Sequence, residues 1–233
     1  MIKKLIKQIS IFKRMLKYKK VSYSFGGCDL LVDYIFKNQS MGFYVDVGCQ
    51  HPISNNNTYL LFKRGWSGVN IDLDQSNINL FKIARPKDFN ICSALSSAKG
   101  NEVLYFAHDG SPINSVNKNF SENIKNKYIK KNIDTDTLNN VLKKLNFDKI
   151  DYLNIDVEGH EEEVLNGFDI KLYSPKVVSV EFLDFSMKKM EFKNNNLENV
   201  LNSNIFKYFK SNNYNFVNWS HADLIFVNSN FKD

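Results

Sequence analysis

The sequence predicts an α/β fold, a mostly parallel sheet with helices on both faces, and three observations support this prediction. Apolar runs typical of buried strands alternate with amphipathic segments along the chain. The first run, residues 43–47, is followed directly by Gly48, and a second run, residues 69–72, ends in an acid. Two short runs at the end of the chain, residues 214–219 and 222–227, are close enough to pair as an antiparallel hairpin. This pattern predicts a Rossmann-like sheet.

The individual elements follow from local patterns. The first is a basic amphipathic helix over residues 2–20, in which apolar residues recur at three- and four-residue steps opposite lysines. Strand patterns then cover residues 43–47, 69–72, 89–94, 101–106, 150–155 and 177–182, before the terminal pair. Helical patterns cover a segment capped near Ser54 or Asn55 and stopped by Gly65, and residues 76–84, 135–145, 158–166 and 197–211. Residues 109–126 are rich in Asn, Ser and Gly and predict a mobile loop of the kind that often contacts substrate.

Composition and charge narrow the class of protein. A chain of 233 residues with 43% hydrophobic residues is long enough for one α/β domain, which we assign to residues 39–233 after a basic helix and lead-in at residues 1–38. The formal net charge is +6, but residues 1–20 hold eight Lys or Arg and no acid, so the domain does not have the basic face that nucleic-acid binding needs. Three widely spaced cysteines without CxxC spacing predict reduced thiols in a cytoplasmic protein. No run approaches eighteen consecutive apolar residues, so no transmembrane helix is expected.

The positive charge of residues 1–20 has two interpretations. A basic amphipathic helix can lie on an anionic membrane surface, where each Lys or Arg contributes about 1 kcal/mol. The alternative is an appended helix that packs on the domain or on a partner and keeps its charges in water. The sequence leaves both open, and it does not predict an oligomeric state.

The turn after the first strand predicts a nucleotide-type site. Gly48 lets the backbone turn tightly beside a ligand, and Asp72, at the end of the second strand, can accept hydrogen bonds from both hydroxyls of a ribose. The GxGxxG pattern that cradles a dinucleotide pyrophosphate is missing, since residues 48–52 are Gly-Cys-Gln-His-Pro. A cofactor without phosphates, such as S-adenosylmethionine, therefore fits better than NAD.

Four segments carry a resemblance to a known family: residues 46–52, 57–60, 65–72 and 155–161. In this order and spacing they are similar to the FkbM family of S-adenosylmethionine-dependent methyltransferases. The resemblance begins near residue 22 and reaches the final strand, so it covers about nine tenths of the chain. It implies the seven-stranded class I methyltransferase sheet, in which the last strand is antiparallel.

The resemblance also implies which residues bind the cofactor. The loop after the first strand, with Asp46, Gly48 and Cys49, would surround the methionine portion and help to hold its ammonium group. Asp72 would bind the ribose. Ser93, at the end of the third strand, would contact the adenine.

A cluster of acids and a histidine follows a predicted buried strand, at the sheet edge where ligands bind in open α/β sheets. Methyl transfer to a hydroxyl needs in-line approach and removal of the proton, so a carboxylate or a histidine near the acceptor would act as general base. Asp156 is the first choice, and His51, His160 and Glu181 are the other catalytic candidates. Asp156, Glu158 and Glu181 could together bind a divalent cation such as Mg²⁺, which prefers oxygen ligands.

These inferences predict a cytoplasmic O-methyltransferase that transfers the methyl group of S-adenosylmethionine to a hydroxyl. The resemblance, and not particular residues, suggests that the hydroxyl belongs to a sugar of a surface glycan or of its precursor. A small natural product is the alternative acceptor. A protein of another class is also open, a non-catalytic module at the inner face of the membrane that keeps the fold. Asp46, Gly48, Asp72 and Asp156 argue against it, because a protein without activity would not need all four.

Overall fold

The computed structural model describes residues 2–124, 127–183 and 196–232. Within these ranges the strands are β1 (Phe43–Val47), β2 (Ser67–Asp72), β3 (Phe89–Cys92), β4 (Ala94–Leu95), β5 (Gly100–Phe106), β6 (Ile129–Asp136), β7 (Tyr152–Ile155), β8 (Val177–Glu181), β9 (Tyr214–Ser220) and β10 (Asp223–Asn228). The helices are α1 (Ile2–Tyr18), α2 (Cys28–Ile35), α3 (Tyr59–Lys63), α4 (Gln75–Ala84), α5 (Lys118–Ile124), α6 (Leu138–Lys144), α7 (Glu161–Asn166), α8 (Ile170–Tyr173), α9 (Leu197–Asn202) and α10 (Asn204–Ser211).

The main sheet has seven strands in the order β3-β2-β1-β7-β8-β10-β9. The first five strands in this order, β3-β2-β1-β7-β8, are parallel to one another. Strand β10 is antiparallel to both β8 and β9. The chain runs outward from β1 to β3 and later returns to the other side of β1, so the strand order reverses between β1 and β7. Ligands bind at such a reversal in open α/β sheets. The predicted α/β fold, with its Rossmann-like, mostly parallel sheet and terminal hairpin, is confirmed.

The two faces of this sheet bury different side chains because successive residues of a strand point to opposite faces. On one face Tyr44 packs with Val32 of α2, which lies inside the segment predicted as the lead-in to the domain. On the other face Val45 belongs to the larger cluster, together with Phe209 of α10. Asp46 is buried on the same face as Tyr44.

A second sheet has the order β4-β6-β5, and some of the elements predicted in and around it differ from the structure. The extra strand expected at residues 101–106 is β5, and it pairs antiparallel with β6. The predicted helix over residues 135–145 begins later, because its first residues extend β6 and the Thr137 hydroxyl accepts a hydrogen bond from the Asn140 N–H at the start of α6. The predicted strand over residues 89–94 is divided between β3 and β4. The segment predicted as a loop from residue 109 contains α5.

Three other predicted helices differ in their boundaries. The helix expected from Ser54 or Asn55 is only the five-residue α3. The helix expected over residues 197–211 is broken at Ser203, whose hydroxyl accepts the N–H of Phe206 and so caps α10. The helix expected from Glu158 begins at Glu161, since Glu158 has φ of +57° and lies in the left-handed region that ends regular helix.

The N-terminal helix α1 keeps both of its sides in water. Every residue from 3 to 22 is exposed, and the apolar side chains Leu5, Ile9, Phe12 and Leu16 have exposed fractions of 57%, 48%, 60% and 58%. The alternative in which α1 packs on the described part of the domain is therefore not what the structure shows. None of the described helices is long and apolar enough to cross a membrane.

Candidate active site

A cavity of about 360 Å³ lies at the edge of the sheet where β1, β2, β7 and β8 end. Parallel strands bring their carboxyl ends to one edge, so residues far apart in sequence line the same space. The cavity is lined by seven of the predicted site residues: Gly48, Asp72, Ser93, Asp156, Glu158, His160 and Glu181. Three others do not line it: Asp46, Cys49 and His51.

Gly48 forms the tight turn that the sequence predicts. Its φ is +76°, and its N–H donates to the carbonyl oxygen of Ile71 at 2.9 Å, which ties the end of β1 to β2. A Cβ atom at this position would overlap the carbonyl oxygen of Asp156. Only glycine therefore lets the turn after β1 approach the end of β7 this closely.

Asp72 lines the cavity and also organises its surroundings. Its carboxylate accepts hydrogen bonds from the N–H of Gln50 at 2.9 Å, the N–H of Asp74 at 2.8 Å and the amide of Asn77 at 3.2 Å. A carboxylate has about four acceptor sites, so the three donors leave room for a ligand hydroxyl. Burial raises the pKa of Asp72 to about 6.

Asn114 lines the cofactor side of the cavity and Asp74 supports it from outside, and both were missed by the sequence interpretation. The Asp74 carboxylate caps α4 and accepts hydrogen bonds from the Gly110 N–H at 2.7 Å and from the Asn114 amide at 3.2 Å. It thereby holds the segment after β5 against the site. Ser93 also lines the cavity; its N–H donates to the backbone oxygen of Asp72 at 2.9 Å and its hydroxyl donates to the backbone oxygen of Ala94 at 3.3 Å, so the hydroxyl oxygen can still accept a hydrogen bond from a ligand.

Asp46 supports the site from behind and does not touch the cavity. Its carboxylate accepts hydrogen bonds from Thr58 Oγ1 at 2.7 Å, Asn154 Nδ2 at 2.9 Å and Asn56 Nδ2 at 3.1 Å. Burial raises the pKa of Asp46, and the buried Arg85 opposes this shift. Arg85 also donates to Thr58 and Asn56, at 2.8 and 2.7 Å. That Asp46 or its neighbours help to hold the cofactor ammonium stays a prediction; in the structure the Asp46 carboxylate faces this network and not the cavity.

Cys49 and His51 also lie outside the cavity lining, and their predicted roles stay predictions. The Cys49 side chain is buried against Ile78 and Phe81. His51 Nδ1 accepts hydrogen bonds from the N–H groups of Ile53 and Ser54, at 3.2 and 3.1 Å. Through these hydrogen bonds His51 closes its own loop.

The acidic cluster predicted after β7 does assemble, with Glu181 supplied by the end of β8. Carboxylate oxygens of Asp156, Glu158 and Glu181 lie within 4.8 Å of one another. Burial raises the pKa of Asp156 to about 6 and that of Glu158 to about 9, and it raises the pKa of Glu181 well above its ordinary value. Repulsion among the carboxylates adds to the effect for Glu158 and Glu181.

Glu161 and His160 flank this cluster. Glu161 Oε1 accepts the N–H groups of Val157 and Gly159, at 3.1 and 3.0 Å, and so fixes the turn that presents Glu158. His160 lines the cavity, but its Nε2 lies 3.2 Å from Ser96 Oγ, toward the second sheet. Burial lowers the pKa of His160.

Asp223 and Asn57 complete the acidic side and were also missed. Asp223 begins β10 and pairs with Glu181 in the antiparallel register. Asn57 Nδ2 donates to Asp223 Oδ1 at 3.1 Å and to Asn154 Oδ1 at 3.0 Å. The sequence could have predicted the position of Asp223. An antiparallel last strand places its first residues at the edge where the parallel strands end, and Asp223 is the first residue of β10.

The fold and the position of the cavity define a class of protein, the Rossmann-like methyltransferases. The family follows from comparison with known sequences, in which the model described as the Methyltransferase FkbM domain matches residues 46–216. The chain belongs to the FkbM methyltransferase family, whose members typically use S-adenosylmethionine. No curated protein and no solved structure matches this chain.

Proposed function

We propose that this methyltransferase uses S-adenosylmethionine to methylate a hydroxyl of a sugar, in a surface glycan or in its precursor. The observation that carries this proposal is the meeting of two groups of residues at one cavity. Gly48 and Asp72 line it on one side, and Asp156, Glu158 and Glu181 line it on the other. Direct transfer requires a cofactor and an acceptor that open onto the same space in a fixed orientation.

The cofactor side suits a nucleoside with a ribose diol and no phosphates. Asp72 has an acceptor site left beside its three protein donors, and a hydroxyl of the diol would supply the fourth donor. Backbone N–H groups at the turn after β1 are already used, since those of Gly48 and Cys49 both donate to Ile71. Nothing at this turn therefore resembles the cradle of N–H groups that holds a pyrophosphate.

On the acceptor side, Asp156 is the proposed general base. When bound, S-adenosylmethionine would supply the methyl carbon that the acceptor oxygen attacks as the carbon–sulfur bond breaks, with neutral S-adenosylhomocysteine as the product. The proton of the hydroxyl passes to the carboxylate of Asp156. With its pKa near 6, this group is mostly ionised at neutral pH and can accept the proton. A divalent cation on Asp156, Glu158 and Glu181 is the second way in which this cluster could activate the hydroxyl.

The lining favours an uncharged acceptor with several hydroxyls. Asn55 and Asn57 add amide groups to the carboxylates, and Phe25 and Phe120 add apolar surface. No Lys or Arg occurs among the described residues that line the cavity. Phosphate or carboxylate groups of the acceptor would be repelled there, so a phosphate of a linked precursor has to lie outside.

The proposal is tested by substituting Asp156, with Asp148 as a matched control. Asp148→Asn removes an exposed carboxylate before β7, at the opposite end of this strand from Asp156. With labelled cofactor and glycan from cells that lack this protein, Asp156→Asn should lower turnover by roughly 10² to 10⁴, the usual contribution of positioned proton transfer. Binding of S-adenosylhomocysteine should change little in either variant.

Two outcomes would contradict parts of this proposal. Turnover of Asp156→Asn within a few-fold of wild type would remove Asp156 as base and leave Glu181 or His160. Tight cofactor binding without methylation of any glycan, and without a missing methyl group in glycans of deletion cells, would favour a natural-product acceptor or the non-catalytic module.

We also propose that α1 holds the enzyme at the cytoplasmic face of an anionic membrane. Support comes from its exposed apolar side and from the eight basic residues of positions 1–20, which have no acid among them. Such a helix buries its apolar side at the level of the lipid headgroups and keeps its lysines near the phosphates.

A further inference from the structure

We propose that Asp156, Glu158 and Glu181 form a binding site for one divalent cation of the Mg²⁺ or Mn²⁺ type. The role of this cation in activating the acceptor rests on the proposed O-methyl transfer, whereas its binding can be measured without it. The three side chains come from the end of β7, from the following turn and from the end of β8. One carboxylate oxygen from each lies within 4.8 Å of the others, close enough to surround a single ion after small rotations.

An unpartnered carboxylate oxygen in the cluster supports a cation site there. Glu181 is only 9% exposed, and its Oε2 is buried without a hydrogen-bond partner among the described residues. A buried carboxylate oxygen normally has a donor, because loss of its hydration is costly. A cation supplies the partner that this oxygen lacks.

The charge around the site points the same way. Asp223 stands opposite Glu181 in the sheet and adds a fourth carboxylate, while Asn57 supplies a donor to Asp223. The described residues that line the cavity include no Lys or Arg that could balance these charges. Buried charges are normally paired or coordinate metals, and oxygen ligands alone favour hard cations such as Mg²⁺ and Mn²⁺.

The competing explanation for the clustered carboxylates is a proton that two of them share. Two adjacent carboxyl groups can share one proton and so avoid repulsion, as pairs of buried acids often do. Under that explanation Glu181 and Asp156 would be held together without any metal, and added cations would find no site.

Mn²⁺ distinguishes these explanations, because free Mn²⁺ gives a paramagnetic resonance signal that bound Mn²⁺ loses. Metal-depleted protein, titrated near pH 7.5, should bind one Mn²⁺ per chain, and Mg²⁺ should displace it. Glu181→Gln should weaken this binding at least tenfold. Glu198→Gln, on the exposed start of α9, makes the same chemical change elsewhere and should leave it unaltered. Mn²⁺ should also raise the melting temperature of wild type and of Glu198→Gln more than that of Glu181→Gln.

Absence of Mn²⁺ binding at millimolar concentration would overturn the cation site in favour of the shared proton. Equal binding by wild type and Glu181→Gln would overturn the assignment of its ligands. If Glu181→Gln does not fold, Glu158→Gln, which alters a half-buried side chain in a turn, gives the same test. Titration of the same samples with S-adenosylhomocysteine separates the two proposals. Binding of S-adenosylhomocysteine without Mn²⁺ binding would overturn the cation site and leave the proposed function standing. Binding of Mn²⁺ without S-adenosylhomocysteine binding would leave the cation site standing and contradict the proposed function.

Discussion

The turn after β1 lies against the end of β7 at Gly48, and this close packing leads to a quantitative prediction. In Gly48→Ala the new Cβ would lie more than 1 Å inside the 3.0 Å that such atoms keep from their neighbours, against the backbone oxygen of Asp156. That oxygen belongs to the backbone and has no side-chain rotation by which to move aside. The two strand ends must therefore separate.

A second glycine allows the loss of unfolding free energy in Gly48→Ala to be divided into two parts, the cost of the backbone conformation and the cost of the displacement. Gly65 also has positive φ, +93°, but a Cβ placed there would have no atom within 4 Å. Gly65→Ala should therefore lower the free energy of unfolding only by the cost of a left-handed alanine, roughly 1 to 2 kcal/mol. Gly48→Ala should lose the same amount and in addition about 1 to 3 kcal/mol for the forced displacement.

Urea denaturation measures both free energies, and calorimetry with S-adenosylhomocysteine measures the functional consequence. Gly48→Ala should bind this ligand at least about tenfold more weakly, or about 1.4 kcal/mol, because the displacement occurs at the cavity. Gly65→Ala should bind it like wild type. Equal losses of unfolding free energy in the two variants, with unchanged affinity in both, would refute the reasoning.

The remaining predictions concern the cofactor and the membrane. Because the pKa of Asp72 is raised to about 6, its carboxylate is present above that pH and lost below it, so affinity for S-adenosylhomocysteine should fall as pH drops through about 6. Asp72→Asn should bind about 1.5 to 3 kcal/mol more weakly near neutral pH and without this pH dependence; a fall that persists in the variant would implicate another carboxylate. Deletion of residues 1–20 should abolish binding to vesicles of phosphatidylglycerol, and salt should weaken it in the full chain, since exposed charges are screened. Equal binding to neutral vesicles, or unchanged binding after deletion, would exclude the electrostatic role of α1.

Much of the site could be predicted because its key residues stand at the ends of strands. Gly48, Asp72 and Asp156 each follow or end an apolar run, and parallel strands bring such ends together. Asp223 could have been added by the same reasoning, since it begins an antiparallel strand. Asp74 could not, because its role depends on Gly110 and Asn114, which a separate segment of chain brings to it.

By itself the sequence determined the succession of strands, the glycine turn with its distant acid, and the basic amphipathic helix, because each is a local pattern of side chains. Tertiary structure decided which polar residues reach the cavity and which partners each one meets. Asp46 and Asp72 look alike in the sequence, two acids at the ends of neighbouring strands, yet Asp46 is enclosed by Thr58 and Asn154 while Asp72 lines the cavity. Both side chains lie on the same face of the sheet, because Asp46 pairs with Asn70, two residues before Asp72. Their position along the strands and the packing of the loop after β1 separate their roles, since hydrogen bonds to a buried carboxylate come from residues that only the folded chain brings near.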